Sequence, residues 1–176
     1  MNLLGLVLLA VGAVVQAQVL PIVLPPLVGA DLRPHLLVLL VVAVTLVEGV
    51  REGAVWAFMG GLLLDLMSPV TPMGTNALCL LFVALLTSLG LYIPLRVSLI
   101  MPLVMTALAT LFYYLLLMSI RALFGVSMDW SATLLLLALP TAAINAVLMP
   151  FCYSALGWAS DRFRPRLPDE WQQTRA

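Results

Sequence analysis

Charge is missing from long stretches of this chain. Residues 1–30 carry none, and neither do 66–95, 97–120 and 130–160. Each stretch exceeds the ~20 residues that an α-helix rising 1.5 Å per residue needs to cross about 30 Å of hydrocarbon. A bilayer offers the backbone no hydrogen-bond partners, so only helices or closed barrels span it. Runs such as Leu134-Leu135-Leu136-Leu137-Ala138-Leu139 are continuous, without the alternation of a barrel strand. The expectation is an all-α integral membrane protein. Composition narrows the class further: 64% of the 176 residues are hydrophobic and only 9% charged, too few charges to coat a soluble domain. Eight arginines balance eight acids, with no lysine, so no basic excess exists to neutralise phosphates. Nucleic acid is not an expected partner.

Six spans are predicted, with five as the fallback. The first covers about 3–24 and ends at Pro25-Pro26; a cleaved signal peptide is the rival reading, but no Arg or Lys precedes the apolar run. Glu48-Gly49-Val50-Arg51-Glu52-Gly53 then interrupts the apolar stretch 36–64. This predicts a turn between two short helices, 34–48 and 52–67, because one long helix would set three charges at mid-depth. A fourth span runs over 75–93 and a fifth to about 123, with Pro102 near its first turn. The sixth extends from Trp130 to Trp158, where Pro140 and Pro150 predict kinks or breaks. Residues 1–160 thus form a single membrane domain, and 161–176 a short basic tail. With six spans, Arg51, Arg96, Arg162, Arg164, Arg166 and Arg175 share one side, against Arg33 and Arg121 opposite. The positive-inside rule places that side, and both termini, in the cytoplasm. Arg162, Arg164 and Arg166 suit a membrane-surface anchor on anionic lipid.

Catalytic constellations are wanting. His35 stands alone beside Pro34 at a predicted interface and reads as solvated or headgroup-facing. Cys79 and Cys152 are far apart and read as buried structural thiols. Glu48 and Glu52 are close, but a surface turn explains them. No enzyme, metal site or cofactor is expected. Small residues instead recur at Gly49, Gly53, Ala57 and Gly61, with Gly60 alongside. Such spacing lets helix backbones approach closely. The stripe is either an internal packing seam or a groove for a partner's helix. The same step reaches Asp65, which is costly near the end of an apolar helix unless it caps, pairs or meets water. Ser68, Thr71 or the 66–75 backbone could bond it; Arg33 or Arg121 could pair with it; a ligand contact is a third option. Thr106, Thr110, Tyr113 or Tyr114, Thr141 and Asn145 could bond across helices or line a small polar cavity.

Within Gly53–Asn76, Gly61-Leu62-Leu63-Leu64-Asp65, Ser68 and Pro72-Met73-Gly74 resemble the signature segment of the rod shape-determining MreD family. That family shows a Gly-rich helix, then GLLxD, a Ser and a Pro-x-Gly turn. Length, span number and two short helices are also similar. The resemblance implies a non-enzymatic inner-membrane scaffold of the bacterial cell-elongation complex, supporting lateral peptidoglycan synthesis and rod shape. MreC would be the most direct partner, alongside MreB, RodA and a class B penicillin-binding transpeptidase. The six-helix plan is also similar to the substrate-binding subunits of energy-coupling-factor vitamin transporters. In that alternative, Ala13 and Ala17 would contact a scaffold, and Asn76, Thr106, Thr110 and Asn145 would line the pocket.

Overall fold

The computed structural model describes residues 11–16, 34–67, 72–92, 100–126 and 129–163, with side chains described as far as Trp158. All regular structure among them is helical: α1 (Leu36–Glu48), α2 (Val50–Met67), α3 (Thr75–Leu89), α4 (Ile100–Leu123) and α5 (Leu139–Phe163). Residues 11–16 form a further helical stretch. A 3₁₀ turn, Gly90–Tyr92, extends α3. A single α turn, Trp130–Ala132, and a π-helical stretch, Thr133–Ala138, lead into α5. Two helices, Ile100–Leu123 and Trp130–Trp158, are long and apolar enough to cross a membrane; α1 and α3 are shorter apolar helices. The number of spans beyond these two, and the region 1–10 and 17–24 of the first, lie outside what the described residues establish.

Helix α1 is the axis of the bundle. Leu37, Val38, Leu39, Val41, Val42, Ala43, Val44 and Thr45 are all buried, on every face of the helix. A helix apolar all round needs protein on all sides, and α2, α3, α4 and α5 all pack against it. Residues 11–16 touch it too: Ala13 is fully buried in the same core, and Gly12 faces Leu37 and Leu40. At 13 residues, α1 rises only about 20 Å. The outward faces invert the soluble pattern. Phe58, Leu66, Phe82, Leu89, Val147, Phe151 and Trp158 are exposed, the kind of contiguous apolar surface that marks a lipid or protein contact.

The breaks between helices have local causes. A single residue, Gly49, separates α1 from α2, at φ 102° and ψ 175°. Its N–H bonds the Thr45 carbonyl at 3.1 Å, and its own carbonyl accepts the Gly53 N–H at 3.0 Å. The predicted six-residue turn is therefore one residue wide, with Val50, Arg51 and Glu52 already helical. α4 ends on Gly125 at φ 76°. The Val126 N–H reaches back to the Arg121 carbonyl and the Gly125 N–H to that of Ala122, which closes the last turn as a Schellman motif. Asp129 starts the following turn, its Oδ1 accepting from Ser131 N, Ala132 N and the Ser131 hydroxyl. These donors hold its carboxyl below the usual carboxylate range, the Ser131 hydroxyl foremost. The two prolines of the last helix behave differently. Pro140 has no N–H to give the preceding turn, and the π-helical stretch ends two residues before it, with the Leu139 N–H bonding five residues back to Leu134. Pro150 sits inside continuous α-helix, so the break expected there is absent.

Candidate functional site

The residues of greatest interest lie where α2 ends and α3 begins. Pro72-Met73-Gly74-Thr75 is a β-turn closed by the Thr75 N–H on the Pro72 carbonyl, 3.2 Å. Gly74 has φ 95° and ψ −10°, the values of the third residue of a type II turn, where a side chain is strained. This conformation aims successive N–H groups back at α2. Asp65 receives them. Its Oδ2 accepts from Gly74 N (3.0 Å) and Ala77 N (3.2 Å); its Oδ1 accepts from Asn76 N (3.0 Å) and the Asn76 amide (2.9 Å). Asp65 is 4% exposed. A helix start leaves its first N–H groups without intrahelical partners and carries partial positive charge. Here the side chain of the preceding helix answers both. Gly74→Ala is expected to cost about 1–2 kcal/mol, the strain of a left-handed residue. Met73→Ala, on the exposed side of the turn, should leave thermal unfolding in detergent unchanged.

The glycines explain how α3 comes so near. A Cβ built on Gly61 would lie 2.5 Å from the Ala77 nitrogen and 2.8 Å from the Asn76 carbonyl carbon. Only a missing side chain permits that approach. One built on Gly53 would meet the Thr45 side chain of α1, 2.8 Å from its Cβ. Ala57 and Gly60 are buried between. The stripe is thus filled by this chain's own α1 and α3, which leaves no groove for a partner helix at Gly53 or Gly61. Gly49 does not belong to it: it precedes α2 and is required by its backbone angle instead.

A second buried cluster gathers at the start of α1. The His35 N–H donates to Asn145 Oδ1 (3.0 Å), the Leu37 N–H to Gln16 Oε1 (2.9 Å) and the Val38 N–H to His35 Nδ1 (3.3 Å). Asn145 in turn donates to the Thr110 hydroxyl at 3.2 Å. His35 is therefore not headgroup-facing but 8% exposed; it caps a helix that begins inside the protein. Its ring meets Tyr113 edge-on, with centroids 4.3 Å apart. The Tyr113 hydroxyl donates to Asn76 Oδ1 at 2.5 Å, so one tyrosine touches both clusters. Gln16 was invisible as a functional residue in the sequence, since nothing there marks it as facing a helix start.

Other expected site residues fall differently. Asp65 makes no ion pair with Arg121 among the described residues, and Arg121 Nε is buried without a hydrogen-bond partner. Ser68, Thr71, Arg33, Arg164 and Arg166 lie outside the described residues; Arg162 is in the last helical turn, its side chain not described. Pro72 is exposed, and its carbonyl also accepts the Thr75 hydroxyl. The four candidate pocket residues have internal partners. Asn76 is held by Asp65 and Tyr113, and Asn145 by His35 and Thr110. Thr106 and Thr110 return their hydroxyls to carbonyls of their own helix. Thr141, outside those four, is fully buried with its hydroxyl unpartnered. Ala13 is buried against α1 rather than presented to a partner; Ala17 lies outside the described residues. Cys79 and Cys152 are free thiols, buried and half-buried. No family model, curated protein or solved structure matches the chain.

Proposed function

We propose that the chain is a multi-pass protein of the bacterial inner membrane, with six spans and cytoplasmic termini, that serves as a non-enzymatic scaffold of the cell-elongation complex. The exposed apolar faces of α2–α5 and the arginine asymmetry support the membrane placement. One observation carries the functional reading. Gly61, Asp65 and Gly74, on which the MreD resemblance rests, form one unit that docks α2 to the start of α3. A segment whose polar and small residues serve helix packing suits a protein whose work is to hold partners in place. The buried amides and carboxylate are committed to helix ends rather than turned to a reacting molecule. MreC is the expected direct partner, with MreB, RodA and a class B penicillin-binding transpeptidase in the wider assembly.

Depletion in the bacterium that carries the gene tests this. Rods should widen and round up as lateral wall insertion fails, and MreC should co-purify with the tagged protein from detergent extracts. Normal rod width and wall insertion after depletion would overturn the elongation role. Stoichiometric, tight binding of thiamine, riboflavin or biotin by the purified protein would favour the transporter subunit instead.

A further inference from the structure

The two capping clusters serve different helices. One fixes the end of α2 to the start of α3; the other fixes the start of α1 to α4, α5 and residues 11–16. Tyr113, 2% exposed, is engaged with both: its hydroxyl is on Asn76 and its ring is against His35. Neither neighbour has slack. The Asn76 amide is held by Asp65, while His35 has its N–H on Asn145, its Nδ1 on Val38 and its carbonyl on Leu39. Tyr114 packs edge-on against the Tyr113 ring at 5.6 Å and limits its swing.

We infer that Tyr113 is a mechanical link that couples the two helix-capping clusters, so that loosening the α1–α5 junction at Asn145 also loosens the start of α3. Buried polar networks whose members share partners depart from additivity, and here the shared member is a single side chain, its hydroxyl on one cluster and its ring on the other. A partner or lipid that displaces either cluster would thereby be felt by the other half of the bundle.

Cys79 supplies the readout. It is fully buried on α3, three residues after Asn76, so alkylating it requires the start of α3 to open. With Cys152→Ser as background, the alkylation rate of Cys79 in detergent-purified protein is compared across four proteins: parent, Asn145→Ala, Tyr113→Phe, and the double substitution. Tyr113→Phe keeps the ring and removes only the hydroxyl. Asn145→Ala should raise the rate about fivefold when Tyr113 is present and less than about twofold in the Tyr113→Phe background, a coupling within the range for residues sharing one network. An equal factor in both backgrounds overturns the link, as does no change with Tyr113 present. If Asn145→Ala does not yield folded protein, Thr110→Val, which removes only the hydroxyl that Asn145 bonds, takes its place with the same two outcomes.

Discussion

Gly61→Ala should destabilise the protein by about 3 kcal/mol or more, the upper range for overpacking an interior, because the obstacle is backbone. The new methyl would stand 2.5 Å from the Ala77 nitrogen and 2.8 Å from the Asn76 carbonyl carbon. A side chain could rotate away; a helix start cannot. α3 would have to shift outward, and that shift would lengthen the bonds from Asn76 and Ala77 to Asp65, which are already 3.0 and 3.2 Å. The substitution thus adds a clash and removes the capping that depends on the close approach. Gly157→Ala is the matched control, since nothing lies within 4 Å of a Cβ there. Thermal unfolding in detergent, with monodispersity checked by size exclusion, should leave Gly157→Ala near wild type and lower Gly61→Ala severely. Unchanged unfolding of Gly61→Ala would mean that α2 and α3 do not meet as closely as described.

Much of this architecture is legible from residue order because it follows from cost. Placing Glu48, Arg51 and Glu52 inside one long apolar helix is expensive, so a break near Gly49 could be read directly, and helices of 13 and 18 residues flank it. The small-residue step from Gly53 to Gly61 likewise announces close packing. It does not say against what, since a partner's helix and the chain's own α3 ask for the same absence of side chain. His35 shows the limit more sharply. Beside a proline and far from other ligating residues, it reads as interfacial; its burial depends on α1 starting inside the bundle, a tertiary fact. Gln16 lies 21 residues from the Leu37 N–H it caps and Asn145 110 residues from that of His35, and no local pattern encodes such a pairing. Pro140 and Pro150 are equivalent in sequence, yet only the first adjoins non-α geometry. Asp65 falls between these cases. Its cost made it conspicuous and the neighbouring backbone was one candidate partner, but the choice among backbone, hydroxyls, arginine and ligand needed the geometry of the Gly74 turn.

Asp65→Ala should be the most damaging change at a polar position, because it strands four donors at once. The N–H groups of Asn76 and Ala77 and the Asn76 amide would lose a buried acceptor, and the Gly74 N–H a part-buried one. Unsatisfied buried donors cost about 1–3 kcal/mol each, and with relaxation a total of about 3–5 kcal/mol is expected. The two isosteric alternatives discriminate the mechanism. Asp65→Asn can keep one oxygen toward Asn76, but its NH₂ then faces the Gly74 and Ala77 N–H groups, donor against donor. It should fall between wild type and Asp65→Ala. Asp65→Leu fills the volume without an acceptor and should match the alanine variant, which separates lost hydrogen bonds from lost packing. α1 and α3, about 20 and 22 Å long, fall short of the ~30 Å hydrocarbon layer, so in the proposed membrane setting their depth is set by such caps rather than by the bilayer. Loss of the Asp65 cap should therefore expose buried Cys79 to alkylation before the bundle unfolds globally, whereas a change at half-buried Cys152 should appear only with global unfolding. Unfolding of Asp65→Ala within about 0.5 kcal/mol of wild type, the scatter of ordinary surface substitutions, would show that the carboxylate does not hold the start of α3.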